Sequence, residues 1–482
     1  MKRFLFYFLV LTVFCLGIIV TLQQGRRLQA SPSAIVASPV DTPGGLAGVG
    51  PSASLVDNLR ENLDDPLTRL FIQLILIIVA ARLCGAVATL VRQPAVVGEM
   101  IAGILLGPSL LGWVYPDFFH FVFPASSFGT LRLFSQIGVC LFMFVVGMEV
   151  DVTQFKRQAR TAVLVSQASI LFPYLLGVVT ALFLFSTFAG TGTTFPTFAL
   201  FIGVSMSITA FPVLARILEE RGLTKSPLGI TALVCAAMND VTAWCILALV
   251  VAIAKATSLS SAGFSIGLIL LFVSVMLFLV KPRLPRWLDK TVTADNKPGR
   301  GMMTAVLVFV FASALATDVM GIHALFGAFL AGVVMPARGE FREFLRVRLE
   351  HFSSAFLLPL FFAFTGLRLQ VGLLNDTTGW MICAGLIVIA TVGKLGGAMF
   401  TARLTGMNWI DSFALGALMN TRGLVELIAL NIGYDLGILS PRIFAMLVIM
   451  ALVTTCMTGP LLTASDFLRA RKVPVPVSTG IG

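Results

Sequence analysis

Two ionisable side chains fall deep inside long apolar runs, and their types decide what chemistry the chain can do. Asp240 follows Asn239 in the stretch CAAMNDVTAWC, near the middle of the apolar run 227–254, and Lys394 lies at similar depth in the run 379–403. At 1.5 Å per residue, Asp240 is roughly 20 Å along its helix. A charge there costs on the order of 2.5 to 3.5 kcal/mol on insertion scales, so it is expected to face a cavity or a partner. Lys394 is the candidate counter-charge. One reading is a static buried ion pair that ties two helices together, although such pairs contribute uncertain net stability. The other is a carboxylate that takes up either a proton or a cation, because its proton affinity is set by the balance between burial and nearby positive charge. Hard cations favour oxygen ligands, and Asp240, Asn239 and the Thr209 hydroxyl supply them together with unwound carbonyls. Competition between a cation and a proton for Asp240 is sufficient for exchange, because the site then crosses loaded with one or the other.

Two interrupted helices are expected to hold these groups in place. Ser207-Ile-Thr209-Ala-Phe-Pro212 lies about two thirds of the way along the run 196–218, where proline removes a backbone donor. Asn420-Thr421-Arg422-Gly423 is a polar cluster near the centre of the run 411–433. Unwound backbone at that depth is tolerated only where protein or a water-filled cavity satisfies it. Arg422 and Glu426 are spaced i,i+4 and can pair on one face, with a local structural role or a part in ion access left open.

The composition explains why these positions count as membrane depth. The chain has 482 residues, 57% hydrophobic and 12% charged, with one apolar run of about twenty residues after another. That predicts an all-α polytopic membrane protein and excludes a soluble fold. Thirteen core helices are expected, at 68–91, 94–113, 130–149, 161–187, 196–218, 227–254, 262–281, 302–319, 322–336, 352–369, 379–403, 411–433 and 439–465. Residues 1–21 read as a signal peptide or a fourteenth helix, 22–66 as a flexible extracytoplasmic segment, 67–466 as the membrane domain and 467–482 as a short tail. The net charge of +11 sits in every second short loop rather than in a basic domain, which argues for a topology signal and against nucleic acid. It places the C-terminus in the cytoplasm. Seven cysteines all fall within apolar runs without metal spacing, so they are read as packing residues, and no cofactor is expected.

An internal repeat is visible in the spacing of small residues. Gly98-Glu-Met-Ile-Ala-Gly103 resembles Gly327-Ala-Phe-Leu-Ala-Gly332, each followed by a proline, Pro108 or Pro336. Leu141-Phe-Met-Phe-Val-Val-Gly147 then matches Leu360-Phe-Phe-Ala-Phe-Thr-Gly366. The matched runs are an odd number of crossings apart, so the halves, approximately 94–254 and 322–465, are expected to run oppositely through the membrane. That plan puts a site at the midplane, where the two broken helices correspond. Thr391-Val-Gly393 is faintly like a potassium-channel filter, but Lys394 follows where an aromatic is needed. His323, at the outer end of its run, is read as a satisfied polar residue rather than a pH sensor.

The strings Val97–Gly112, Ile208–Arg216, Met238–Trp244, Gly321–Gly332 and Asn420–Asn431 together resemble the monovalent cation:proton antiporters. Within them, they are most similar to the branch of bacterial Kef-type transporters and plant cation/H+ exchangers. The resemblance implies a sodium/proton-antiporter-like inverted-repeat fold in which two broken helices cross at midmembrane. It also implies a homodimer with a mobile core moving against a dimerisation panel. The cytoplasmic nucleotide-binding domain common in Kef-type relatives is expected to have no counterpart in this chain. The resemblance maps the ion-binding aspartate onto Asp240, its neighbour onto Asn239, the unwound threonine-proline segment onto Thr209 to Pro212, and the midmembrane basic residue onto Lys394. The expected function is exchange of K+ or Na+ for H+ by alternating access in a bacterial inner membrane, not an enzymatic reaction. The alternatives are a gated K+ efflux channel and a transport-inactive sensor.

Overall fold

The computed structural model describes residues 65–91, 93–149, 155–256, 259–289, 300–321, 323–336 and 339–472. The N-terminal hydrophobic segment, nearly all of 22–66 and the last ten residues lie outside the described residues. Among the described residues every regular element is a helix, and the β pairing is a single isolated bridge between Ala189 and Leu439. In chain order the principal helices are α1 Pro66–Leu90, α2 Ala95–Leu106, α3 Phe128–Glu149, α4 Phe155–Phe188, α5 Phe195–Ser207, α6 Phe211–Glu220, α7 Pro227–Lys255 and α8 Leu259–Ser274. They continue with α9 Arg300–Val319, α10 Ala324–Val333, α11 Gly339–Phe352, α12 Leu358–Arg368, α13 Thr377–Leu404, α14 Trp409–Met419, α15 Leu424–Asp435 and α16 Pro441–Lys472.

Among the described residues eleven helical spans are long and apolar enough to cross a membrane, and the pair α14 and α15, bent by 42°, adds a twelfth. The run 322–336, expected as a full helix, forms only the 10-residue α10. A helix of that length covers roughly 15 Å, about half the hydrocarbon thickness. It is tolerated because α10 is buried in protein from Leu325 to Gly332 and need not match the lipid. His323 starts it, its Nδ1 accepting from the Leu325 N–H at 3.5 Å, which gives that histidine a capping role.

The small residues of the apparent repeat are where backbones meet. An added Cβ at Gly103 would run into the Phe362 carbonyl, and one at Gly366 would run into the backbone of Gly103, so α2 and α12 cross without side chains between them. In the same way an added Cβ at Gly147 would meet Phe329 O and lie 3.0 Å from Gly332 Cα, while one at Gly332 would lie 2.8 Å from Gly147 Cα. Thus α2 packs on α12 and α3 on α10, each crossing taking one helix from either half of the chain. Small residues permit such close approach where lipid offers no hydrophobic drive between helices.

Candidate functional site

Helix α7 carries the pair Asn239-Asp240. Pro227 at its first turn and Ser226 at its N-cap, whose Oγ accepts from the Gly229 N–H at 3.0 Å, fix where it starts. Both Asn239 and Asp240 are buried, and neither Asp240 oxygen has a hydrogen-bond partner. A buried polar atom without a partner is uncommon in folded proteins and calls for an explanation such as a ligand or a proton. The Phe211 N–H, the Lys394 ammonium and Glu149 are the polar groups within electrostatic reach of the carboxylate.

The two interruptions expected from sequence come together beside it. Between α5 and α6 the chain is extended at Ile208 and Ala210, and between α14 and α15 it is unwound from Asn420 to Gly423. Pro212 is the second residue of α6, where a missing N–H leaves no helical bond unmade, so it starts the second half-helix rather than kinking a continuous one. The unwound stretches touch through main chain: the Ala210 N–H donates to Thr421 O at 3.0 Å. Thr209 joins all three elements, its N–H donating to Asn239 Oδ1 at 3.1 Å and its hydroxyl to Met419 O at 3.0 Å. Gly423 has φ 152° and ψ −128°, a conformation open to glycine and strained for other residues.

Positive charge gathers at the carbonyl end of α5. Arg422 donates from Nη1 to Ser205 O and from Nη2 to Met206 O, both at 2.7 Å, and pairs with Glu426 at 3.1 Å as the i,i+4 spacing predicts. Lys394 donates to the Ser207 carbonyl. It therefore acts on Asp240 through space, and the direct pair that equal depth suggested is not formed. Three orphan carbonyls at a helix C-terminus carry partial negative charge, and two cations there answer it. The Ser207 hydroxyl turns back to Val204 O at 3.0 Å. Both side-chain polar atoms of the buried Asn420 lack partners, as does Glu426 Oε2.

Some supporting residues escape a reading of residue types. Ser169 Oγ accepts from Asn239 Nδ2 at 2.9 Å and orients the amide. Thr455 on α16 accepts from the Arg422 N–H at 3.1 Å and donates to the Arg422 carbonyl at 2.9 Å, while Thr458 lies 3.3 Å from the Thr421 hydroxyl. The polar stripe Thr454-Thr455-x-x-Thr458 within an apolar run was the available clue. Among the described residues no cluster of His, Cys, Asp and Glu suits a resident metal ion.

Comparison with known proteins bears on the family and the fold. The family model for the transmembrane part of the sodium/hydrogen exchangers matches residues 76–464. The Na+/H+ antiporter NhaS4 of Synechocystis is 42% identical over 389 residues, covering 80% of this chain and 95% of the relative. The K+/H+ antiporter 1 of Saccharomyces cerevisiae is 36% identical over 86% of this chain, and cation/H+ antiporter 17 of Arabidopsis thaliana 39% over 83%. The chain spans about half the length of these last two, 48% and 49%. The solved sodium proton antiporter MjNhaP1 of Methanocaldococcus jannaschii has the same fold, with a TM-score of 0.56 at 15% identity, covering 84% of this chain and 99% of that one. A multi-pass integral membrane protein and not an enzyme, the chain belongs to the sodium/hydrogen exchanger family, within the monovalent cation:proton antiporter superfamily.

Proposed function

We propose that the protein exchanges a monovalent cation, K+ or Na+, for H+ by alternating access, with cation and proton competing for Asp240. The observation that carries this reading is the buried Asp240 carboxylate, unpartnered at both oxygens, beside the crossing of two broken helices. A carboxylate at that depth is stable in two loadings, protonated or bound to a cation, and unstable as a bare charge. A carrier that crosses only when loaded then couples the two ions. Asn239 orients Thr209 and adds an amide oxygen without a second negative charge, which favours one proton per cation. The named relatives divide between Na+ and K+, so the size and flexibility of the carbonyl cage are left to set selectivity.

The wider assignment belongs to the same proposal: thirteen crossings with α10 as a short one, two inverted halves, a homodimer, and a C-terminus in the cytoplasm of a bacterial inner membrane. The α2–α12 and α3–α10 crossings support a two-fold relation between halves, because matched motifs exchange partners.

Proteoliposomes test the core of the reading. An imposed pH gradient should collapse on adding K+ or Na+, and Asp240→Asn should reduce that exchange to background. Exchange that persists in Asp240→Asn rules out the mechanism. Current without obligatory proton movement would instead identify a channel.

A further inference from the structure

Two ion pairs join the end of the second broken helix to its neighbours on the face opposite the basic loops. Asp435, the last residue of α15, places Oδ1 2.7 Å from Arg368 Nη1 on α12 and Oδ2 3.1 Å from Arg132 Nη2 on α3. Arg368 also donates to Asn431 Oδ1, one turn back on α15, at 3.1 Å, and Asn431 Nδ2 donates to Thr365 Oγ1 on α12 at 2.8 Å. The Arg368 guanidinium lies over the Phe364 ring at 4.1 Å and faces Tyr434 at 5.3 Å. Only 14% of the Arg368 side chain and 19% of Asp435 are exposed, so water and salt weaken this pair less than a surface one.

The cluster caps a cavity. A small space of about 30 Å³, room for a water molecule or two, lies among α3, α12, α15 and the start of α10, with His323, Ile428 and Asp435 among its walls. Ile428 sits about one and a half turns along α15 from the unwound segment. The space therefore lies on the inner side of the charged cluster and reaches along α15 as far as Ile428.

We propose that Asp435, clasped by Arg132 and Arg368, is the centre of a latch that holds this face closed, and that α15 separates from α3 and α12 there only when Asp435 leaves both guanidiniums. The proposal rests on the alternating-access reading. Opening would return the Asp435 and Arg368 charges to water, which already reaches the half-exposed Arg132, and their rehydration offsets much of the attraction, which leaves a modest bias rather than a lock. The Asn431–Thr365 bond adds a neutral second tie that parts in the same movement.

Accessibility tests it directly. Ile428→Cys in the full chain, in sealed vesicles, is treated on that face with a membrane-impermeant thiol reagent, and the unsubstituted protein with its seven cysteines gives the blank. Adding Asp435→Asn should speed labelling about fivefold or more, the scale of an ordinary conformational coupling. The swap Asp435→Arg with Arg368→Asp should bring the rate back toward the starting value. Equal rates with and without Asp435→Asn overturn the latch. If Asp435→Asn does not fold, Thr365→Val, which removes the neutral tie, should still accelerate labelling, and an unchanged rate counts against the proposal. Labelling requires no transported ion, so failure of antiport in liposomes is seen separately from failure of the latch.

Discussion

Asn239 shows how far one side chain can be read in advance. Its place beside Asp240 is plain in the sequence, and its work is to accept from Thr209 N–H and donate to Ser169 Oγ. Asn239→Leu leaves the Thr209 N–H buried and unpaired, at about 1–3 kcal/mol, while Ser169 keeps its own bond to Ser166 O, and the change should lower thermal stability in detergent as well as exchange. An unchanged melting temperature would mean water takes over the bond to the Thr209 N–H. Ser169 and Thr455 were not legible, because hydroxyls in membrane helices routinely bond their own backbone and their type does not reveal a distant partner. Lys394 was legible by depth alone. Depth does not encode direction, and its ammonium turned to the Ser207 carbonyl at the end of α5.

Among the elements, glycine spacing disclosed more than hydropathy. The repeated motifs marked the small residues at which backbones meet, without saying that α2 would meet α12 and α3 would meet α10, whereas the apolar run 322–336 did not disclose that α10 begins only after His323. Hydropathy measures apolar length, and a cap is a single local choice. Gly332→Ala should destabilise by about 1–3 kcal/mol or prevent assembly, since its Cβ would enter the backbone of α3. Gly385→Ala on α13 has nothing within 4 Å and should be neutral or stabilise by up to about 1 kcal/mol. Thermal unfolding of the two variants side by side checks the pair, and equal losses would show that the close approach on α3 is not what matters. Both breaks were visible as polar clusters, but the contact between them, Ala210 N–H to Thr421 O, depends on tertiary packing that no local pattern specifies.

At the scale of the molecule, alternate basic loops and apolar runs disclosed the class of fold, while contacts between distant loops had no local signature. Asp376, in the loop before α13, pairs with Arg442 at the start of α16, and that guanidinium holds its carboxyl below the ordinary value of 3.8. A carboxyl whose pKa is lowered by folding contributes stability above its unfolded pKa and loses it as pH falls through the folded one. The protein should therefore lose some thermal stability below about pH 4, and Asp376→Asn should flatten that acid limb without altering stability at neutral pH beyond the missing pair. Melting curves from pH 3 to 7 decide it; parallel curves for the two proteins would dismiss the pair as a stabilising contact. The glycine crossings carry a consequence for biogenesis. Gly103 waits for Gly366, roughly 260 residues later in the chain. At 5–20 residues per second the ribosome needs on the order of 13 to 50 seconds to deliver it. Throughout that interval α2 and α3 sit in the bilayer with grooves that only unmade helices can fill, so insertion must precede assembly and the first half is exposed to quality-control proteases until the second arrives.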